Sequence, residues 1–504
     1  MSRVHFISLG CPKNRVDAEH MLGTTLQKGH ELTDDAEAAD TIVINTCSFI
    51  GEAKKESIET ILEMAELKEE ARQEGRELKL VVSGCLAQRY VDDLVKELPE
   101  VDHFLGTSDY MAIESILDGG DASLAKAEGE KTEHAEGFVP LTSLTSRNLV
   151  TNDLTHIEKS SMPRVNSMAR HTAYLKVAEG CDNACAFCII PQLRGKQRSR
   201  PIADLVTEAK DLVATGVVEL NLIAQDLTGY GHDLRDDDGN RPTLAQLLAA
   251  LSEVEGLRWI RCMYAYPRTL SGALMEQLDT GEHVLPYLDI PTQHGSDRML
   301  KLMRRGKDQR RLKELLLRSR EAVRNLVLRS TVIVGFPGEE DEDFDMLVDF
   351  VETVRFERLG VFKYSNEEDT AAYELDDQVK YDVKRSRFDK LMRRQRKVHK
   401  AKMKELVGTV HEAIVDGPSE EHEYLVVGRL WSQAPEIDGM TYLSSTRSLN
   451  AGDIVHVRIT EAHDYDVVAE VLDDSNPLVK TSLPFNSREN EAPASPSDDM
   501  KRVG

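Results

Sequence analysis

Three cysteines stand close together in the run Cys181-Asp-Asn-Ala-Cys185-Ala-Phe-Cys188, directly after the apolar segment AYLKVAEG. A loop at the end of a strand can wrap three corners of a metal cluster. Structural zinc sites prefer four protein ligands in pairs, and no fourth Cys or His lies suitably near in the sequence. A 4Fe-4S cluster held by three thiolates leaves one iron free for a small molecule, whereas electron-transfer clusters are usually closed by a fourth Cys. The spacing therefore favours an open cluster that acts on a substrate.

Three further cysteines, Cys11, Cys47 and Cys85, close the apolar runs VHFISLG, TIVINTC and KLVVSGC at intervals of 36 and 38 residues. Ligands bind at the carboxyl ends of parallel strands in open α/β sheets, so these thiols predict a second metal site. The total of seven cysteines is odd, and a disulfide framework is not expected in a reducing compartment. The seventh, Cys262, lies inside the strand pattern WIRCMYAYP and is predicted to be a core residue.

The elements that must position these thiols predict an α/β protein of about three domains. Residues 1–117 read as βαβ units of a parallel sheet, and residues 169–404 contain six strand patterns separated by helical ones, as in a partial TIM-type barrel. Residues 405–474 carry short strands with turn signals, which predict a small antiparallel barrel of OB-like type. Residues 118–168 are predicted to form a linker or mobile loop, and residues 475–504 a disordered tail.

Charge and hydropathy exclude several classes of protein. The chain has 63 Lys and Arg against 88 Asp and Glu, a net charge of −25, so its surface as a whole repels nucleic acid and anionic lipid and favours a basic protein partner. No apolar run approaches the roughly 20 residues of a membrane helix. The amino terminus lacks the pattern of a signal peptide. The sequence therefore predicts a cytoplasmic protein with no membrane contact.

The CxxxCxxC motif with Phe187 before its last cysteine resembles the signature of the radical S-adenosylmethionine (SAM) enzymes. In that superfamily the open iron binds the amino and carboxylate groups of SAM, and an electron from the cluster cleaves SAM to a 5′-deoxyadenosyl radical. The resemblance implies catalytic roles for Cys181, Cys185 and Cys188. A zinc knuckle or chance clustering of the cysteines is the alternative interpretation.

The same resemblance implies that several residues at strand ends line a SAM pocket. Gly335 could instead form a turn with Gly338, and His294 could be a core histidine with its hydrogen bonds satisfied. The residues implied to bind the cofactor are Phe187, Glu219, Gln225, Asp226, Gln293, His294, Gly335 and Glu339.

Longer sequence motifs resemble those of the methylthiotransferases, a family within that superfamily. They are LGCPKNRVDAEH, INTCSFI and SGCLAQRY in the amino-terminal domain and GKQRSRP after the cysteine motif. The predicted carboxy-terminal barrel is similar to the TRAM domain. The resemblance implies two 4Fe-4S clusters. Cys11, Cys47 and Cys85 would hold the one that carries the inserted sulfur, and SAM would serve both as methyl donor and as radical source. An external electron donor, flavodoxin-like or similar, is implied as well.

Two substrate classes compete within the family, an adenosine of transfer RNA and an aspartate of protein twelve of the small ribosomal subunit. The words GCPKN, IIPQLRGKQRSR and GVFKYSNEEDTAA are similar to the ribosomal-protein branch. The negative charge agrees with a basic polypeptide substrate, as does an acidic start of the TRAM-like domain. That start contains Glu412, Asp416, Glu420, Glu421 and Glu423.

We therefore expect methylthiolation of the β-carbon of a ribosomal-protein aspartate, with ribosome or RNA contact through the TRAM-like domain. Transfer-RNA methylthiolation is the first alternative. A non-catalytic iron-sulfur sensor that binds nucleic acid is the second, and the release of 5′-deoxyadenosine under reduction would distinguish it from both enzymes.

Overall fold

The computed structural model of the protein describes most of the chain outside one long internal stretch and the end of the tail. Most of the predicted tail and residues 120–146 of the predicted linker lie outside it. Among the described helices, none combines the length and apolar character needed to cross a membrane. The described residues are 1–119, 147–236, 238–306, 308–419, 425–473 and 475–481.

The amino-terminal domain is a five-stranded parallel sheet with helices between its strands. Its elements are β1 (Arg3–Ser8), α1 (Pro12–Gln27), β2 (Glu31–Leu32), β3 (Thr41–Thr46), α2 (Gly51–Gln73), β4 (Lys79–Gly84), α3 (Cys85–Glu97), β5 (His103–Leu105), a 3-10 turn (Tyr110–Ala112) and α4 (Ile113–Leu117). The strand order is β2-β1-β3-β4-β5. Strand β3 is buried at every position, which explains its continuous run of apolar and β-branched residues.

The central domain is an open sheet of six parallel strands, as the six strand patterns predict. Its elements are β6 (Thr172–Lys176), β7 (Ala178–Glu179), α5 (Ile190–Arg194), β8 (Arg198–Ser199), α6 (Ile202–Ala214), β9 (Glu219–Ile223), a 3-10 turn (Leu227–Gly229), α7 (Leu244–Ser252), β10 (Trp259–Cys262), a 3-10 turn (Pro267–Thr269), α8 (Gly272–Thr280), β11 (Val284–Asp289), α9 (Asp297–Leu302), α10 (Gln309–Ala322), β12 (Val327–Val334), α11 (Asp341–Val354) and β13 (Arg358–Lys363). The strand order is β13-β12-β11-β10-β9-β6. Strands β7 and β8 pair separately, on either side of the cysteine loop.

A long helix leads from the central sheet to a closed five-stranded barrel. The elements are α12 (Tyr381–Leu406), β14 (Val410–Pro418), β15 (Val426–Leu430), β16 (Thr441–Ser444), β17 (Ile454–Ala462), β18 (Val467–Val471) and a 3-10 turn (Pro477–Thr481). The barrel order is β14-β15-β16-β18-β17. The prediction of an antiparallel barrel needs one correction, because β16 and β18 pair in parallel.

The described second half of the predicted linker, residues 147–168, is packed against both neighbouring domains. Asn148 forms a bridge to the strand β5. Glu158 is 2% exposed, and the guanidinium of Arg164 lies 2.6 Å from the carboxylate of Glu19 on α1. The prediction of a loose linker is therefore wrong for this half, because Glu158 and Arg164 are buried partners of the two domains on either side.

Candidate active site

Cys11, Cys47 and Cys85, here called the amino-terminal triad, lie together at one edge of the amino-terminal sheet. Each follows the carboxyl end of one of the adjacent strands β1, β3 and β4. Cys11 is exposed, whereas Cys47 and Cys85 are buried. The fold therefore brings the three thiols together at the carboxyl ends of the strands, as the sequence predicts.

Two glycines allow this close approach. Gly10 has φ +93°, and a Cβ atom there would lie 2.7 Å from the Cβ of Cys47. Gly84 has φ +97°, and a Cβ atom there would lie 2.6 Å from the carbonyl oxygen of Thr46. Both conformations favour glycine, so the words LGC and SGC each place a cysteine where a larger preceding residue would force the strands apart.

A polar residue from each domain faces the buried thiols of the amino-terminal triad. The Oδ1 atom of Asn14 lies 3.7 Å from the Sγ atom of Cys85. Arg194, on α5 of the central domain, places its Nη2 atom 3.7 Å from the same sulfur and 2.5 Å from Asn14 Oδ1. The Asn14 oxygen accepts from both the Cys85 thiol and Arg194, so the donor and the positive charge beside this sulfur come from Arg194 alone. Such a donor suits a thiolate that is bound to metal.

Burial governs the protonation of the two buried thiols, Cys47 and Cys85. It raises the pKa of Cys47 to about 12 and that of Cys85 to about 11, against the lowering effect of the Arg194 guanidinium. These thiols therefore keep their protons at neutral pH unless a metal replaces them, since a coordinating thiol is deprotonated.

Cys181, Cys185 and Cys188 lie on the loop between β7 and α5 of the central domain, and all three are half-buried. They are here called the barrel triad, after the partial TIM-type barrel predicted for the central domain. Asn183 donates from Nδ2 to the Sγ atom of Cys181 over 3.4 Å and to the Oδ2 atom of Asp226 over 2.7 Å. Arg305 donates from Nη1 to the Sγ atom of Cys185 over 3.5 Å. One donor, Asn183, therefore belongs to the loop itself, and the other, Arg305, comes from the segment after α9.

The spacing of the ligand atoms distinguishes a cluster from a single ion. A tetrahedral zinc ion with bonds of about 2.3 Å holds its sulfurs about 3.8 Å apart. In the described part of the chain, the only group of three or more candidate ligand atoms that all lie within 4.8 Å of one another consists of carboxylates, those of Asp17, Glu158 and Glu179. Neither triad has its three sulfurs all within 4.8 Å of one another, so neither forms the close set that a single zinc ion requires.

The space between these three carboxylates is occupied by side-chain cations. The ammonium of Lys176 contacts all three carboxylates, and the guanidinium of Arg194 lies 2.9 Å from both Asp17 and Glu179. All five side chains are buried. This buried ion network joins the amino-terminal sheet, the 147–168 segment and the central domain between the two triads.

The residues predicted to line a SAM pocket, with one exception, lie in the cysteine loop or after the carboxyl ends of central strands. Gln225 follows β9 and donates to Glu179, and Gln293 and His294 follow β11. Burial lowers the pKa of His294 to about 3. The remaining placements are Phe187 in the cysteine loop, Asp226 after β9, and Gly335 and Glu339 after β12. Their contact with SAM stays a prediction.

Glu339 is turned toward its own loop and α12. Its carboxylate accepts hydrogen bonds from the backbone N–H groups of Gly335 and Phe336, and one oxygen lies 3.2 Å from the guanidinium of Arg387. Burial raises the pKa of Glu339 to about 7. The loop around Gly335 is therefore held in shape by Glu339.

Glu219 is the exception, and its predicted place in the SAM pocket is wrong. It starts β9 at the amino end of the sheet, where it pairs with Arg261 over 3.1 Å and with Arg429 of the carboxy-terminal barrel over 2.8 Å. Arg429 also pairs with Asp416, which accepts from His171. Asp416 therefore joins the two domains instead of forming an acidic surface, while Glu420, Glu421 and Glu423 lie outside the described residues.

Three cationic residues of the site were missed by the sequence analysis, namely Lys13, Arg194 and Arg305. The words GCPKN and LRGKQRSR contained the first two, but only the fold shows that Lys13 is buried and reaches the ring of Tyr264. Burial lowers the pKa of Lys13 to about 8. The prediction that Cys262 is a core residue is confirmed, since it is 1% exposed among apolar side chains.

Comparison with known proteins first defines the class. Residues 3–106 match the family described as "Uncharacterized protein family UPF0004", residues 175–351 the radical SAM superfamily, and residues 407–472 the TRAM domain. The solved structure of the radical SAM methyltransferase TsrM from Kitasatospora setae, with cobalamin and a [4Fe-4S] cluster bound, has a similar fold. Its TM-score is 0.51 at 15% identity, over 72% of this chain and 75% of that one. The protein has the fold of a radical SAM enzyme.

Curated relatives then identify the family. The ribosomal protein uS12 methylthiotransferase RimO of Myxococcus xanthus is 50% identical over 94% of this chain and 92% of its own length. The RimO of Geobacter sulfurreducens is 46% identical over 93% of this chain and 98% of its own. The chain belongs to the ribosomal protein uS12 methylthiotransferase family.

Proposed function

We propose that this protein transfers a methylthio group to the β-carbon of an aspartate in ribosomal protein uS12. The observation that carries the proposal is the pair of separate thiol triads, each with three sulfurs and a cationic residue from another element. Membership of the uS12 methylthiotransferase family supports the choice of substrate.

The barrel triad would hold the cluster that works with SAM, and the amino-terminal triad the second cluster. When bound, these groups supply a radical that removes hydrogen from a C–H bond, the sulfur to be inserted and the methyl group. The chain's own contribution is positioning. Asn183 and Arg305 fix the barrel loop through its sulfurs, and the buried ion network holds the amino-terminal triad against the central sheet.

The residues after β9, β11 and β12 would bind SAM and keep water from it. Gln225, Gln293 and His294 each have one buried polar atom without a hydrogen-bond partner in the described residues. Buried polar atoms rarely stay unpaired in a complete site. We therefore assign these three side chains to the cofactor, together with the loop from Gly335 to Glu339.

Two partners complete the proposal. A reaction that begins by reducing a cluster needs an external electron donor, and a flavodoxin-like protein would serve. The TRAM domain is proposed to contact RNA near the ribosomal protein, because the described part of this domain is an OB-like barrel, an architecture that binds oligonucleotides.

The proposal is tested by anaerobic reconstitution with iron and sulfide, followed by turnover with SAM, a reductant and a peptide that copies the aspartate-bearing loop of uS12. We expect mass spectrometry to find one methylthio group on that aspartate. Cys262→Ala is the matched control for cysteine variants of the triads and should keep the activity. Modification of transfer RNA and not of the peptide would overturn the substrate assignment, and no release of 5′-deoxyadenosine would overturn the chemistry.

A further inference from the structure

Lys13 is a buried cation that spans the two halves of the site. It lies two residues after Cys11, in the first turn of α1, and is 6% exposed. Its Nζ atom lies 3.1 Å from the centre of the ring of Tyr264, which follows β10 at the carboxyl edge of the central sheet. The ammonium group of Lys13 therefore lies outside its own domain, at the carboxyl edge of the central sheet.

The same strand end leads to the barrel triad. Two residues beyond Tyr264, the ring of Tyr266 lies 3.9 Å from the guanidinium carbon of Arg305. Arg305 in turn donates to the Sγ atom of Cys185. The Lys13 side chain thus runs from the element that begins beside Cys11 toward the element that faces Cys185.

Among the described residues, Lys13 has no hydrogen-bonded or ion-paired anion. The groups that face its charge are Cys11, Asp289 and Glu179, and each has another role. The thiol of Cys11 would be a cluster ligand in the proposed function, Asp289 lies 3.2 Å from the guanidinium of Arg329, and Glu179 is bound by Lys176 and Arg194. The aromatic ring of Tyr264 stabilises a cation but does not neutralise it. A buried charge is costly unless it is paired, so the site as described lacks one negative group.

The missing anion has a natural source in the reaction. We infer that Lys13 binds the side-chain carboxylate of the acceptor aspartate and so places its β-carbon between the two triads. This inference rests on the proposed function. It makes Lys13 a substrate-binding residue that selects an acidic side chain over its amide, because a neutral amide cannot replace the charge that the ammonium requires.

The experiment measures binding of two peptides by fluorescence anisotropy, with protein reconstituted under anaerobic conditions, SAM present and no reductant. One peptide copies the uS12 loop, and the other replaces its target aspartate with asparagine. We expect the native protein to bind the aspartate peptide about tenfold or more tightly than the asparagine peptide, the size of one charge-assisted hydrogen bond. Lys13→Met should bind both peptides equally, and Lys13→Arg should keep part of the preference.

Arg15→Met is the matched control, since Arg15 lies in the same helix but pairs with Glu436 of the carboxy-terminal domain, 2.9 Å away. It should keep the native preference. Iron content and release of 5′-deoxyadenosine without peptide are measured on every variant. If Lys13→Met loses either, the lysine serves a cluster or SAM and the inference is overturned.

The remaining outcomes separate the inference from the proposed function. If the native protein modifies the aspartate peptide and Lys13→Met still prefers it over the asparagine peptide, the inference fails and the proposed function stands. If the native protein neither binds nor modifies the aspartate peptide, the proposed function fails and the inference falls with it.

Discussion

The two thiol triads are built in opposite ways. The barrel triad occupies eight consecutive residues of one loop, and its three thiols are all half-buried. The amino-terminal triad takes one thiol from each of three neighbouring strands, and two of its thiols are buried. The first depends on local loop geometry, whereas the second depends on the register of a whole sheet.

The two triads are nevertheless connected through one residue. Arg194 comes six residues after Cys188, yet its guanidinium faces Cys85 of the other triad and pairs with Asp17 and Glu179. The loop that carries the barrel triad is therefore followed at once by α5, whose Arg194 contacts the amino-terminal triad. The two sites therefore differ in construction but share one buried charge, that of Arg194.

The largest expected effect comes from removing one triad at a time. Alanine at all three positions of the barrel triad should abolish both methylthiolated product and release of 5′-deoxyadenosine. Alanine at all three positions of the amino-terminal triad should abolish the product, halve the bound iron and preserve that release, because each triad would hold its own cluster. Product from the second variant, measured by mass spectrometry, would contradict the division of labour. Cys262→Ala should match the native protein in all three readings.

Arg194→Gln should weaken the buried charge network that lies beside both triads. It leaves the carboxylates of Asp17 and Glu179 short of a cation inside the protein, and breaking a buried pair costs about 3–5 kcal/mol. Urea denaturation of the iron-free protein should show this loss of stability. Arg15→Gln removes an exposed pair with Glu436 and should cost about 1 kcal/mol or less. Equal losses in the two variants would show that the buried network does not bind the domains together.

Acid should act on the amino-terminal region through His20, which lies on α1. Burial lowers the pKa of His20 to about 4, below the value of about 6.5 in an unfolded chain. As the pH falls from about 6.5 to 4, the unfolded state gains a proton that the folded state does not, so stability decreases by up to about 3 kcal/mol. His20→Gln should make that part of the pH profile of urea denaturation less steep, while His294, His399 and His411, whose pKa values burial also lowers, keep the remaining slope. An unchanged profile would mean that other groups govern the acid response.

Local patterns were sufficient to predict the six strands of the central sheet and the positions of the six clustered cysteines after strand ends. The strand patterns of the central sheet all became strands, because continuous apolar runs bounded by glycine and helical stretches admit few other structures. The barrel triad was predicted from spacing alone. The amino-terminal triad required only the further rule that ligands collect at the carboxyl ends of parallel strands.

Long-range charge pairing could not be predicted. Glu219 has the residue type of a binding residue, but its role is decided by Arg429, 210 residues later in the chain. The segment 147–168 has the composition of a linker, yet Glu158 and Arg164 are buried against partners in other domains. Neither composition nor period specifies which distant cation a carboxylate will meet.

The smallest expected effect isolates the local construction of the barrel triad. Asn183 donates to the Sγ atom of Cys181 and is itself held by Asp226. A hydrogen bond to a ligand sulfur stabilises the reduced, more negative cluster, so Asn183→Ala should lower its reduction potential. The loss of one hydrogen bond of about 1 kcal/mol corresponds to about 40 mV for a single electron. A redox titration followed by electron paramagnetic resonance should find this shift in the cluster of the barrel triad and none in the other. Equal shifts in both clusters would mean that the two triads are coupled more strongly than their separate construction implies.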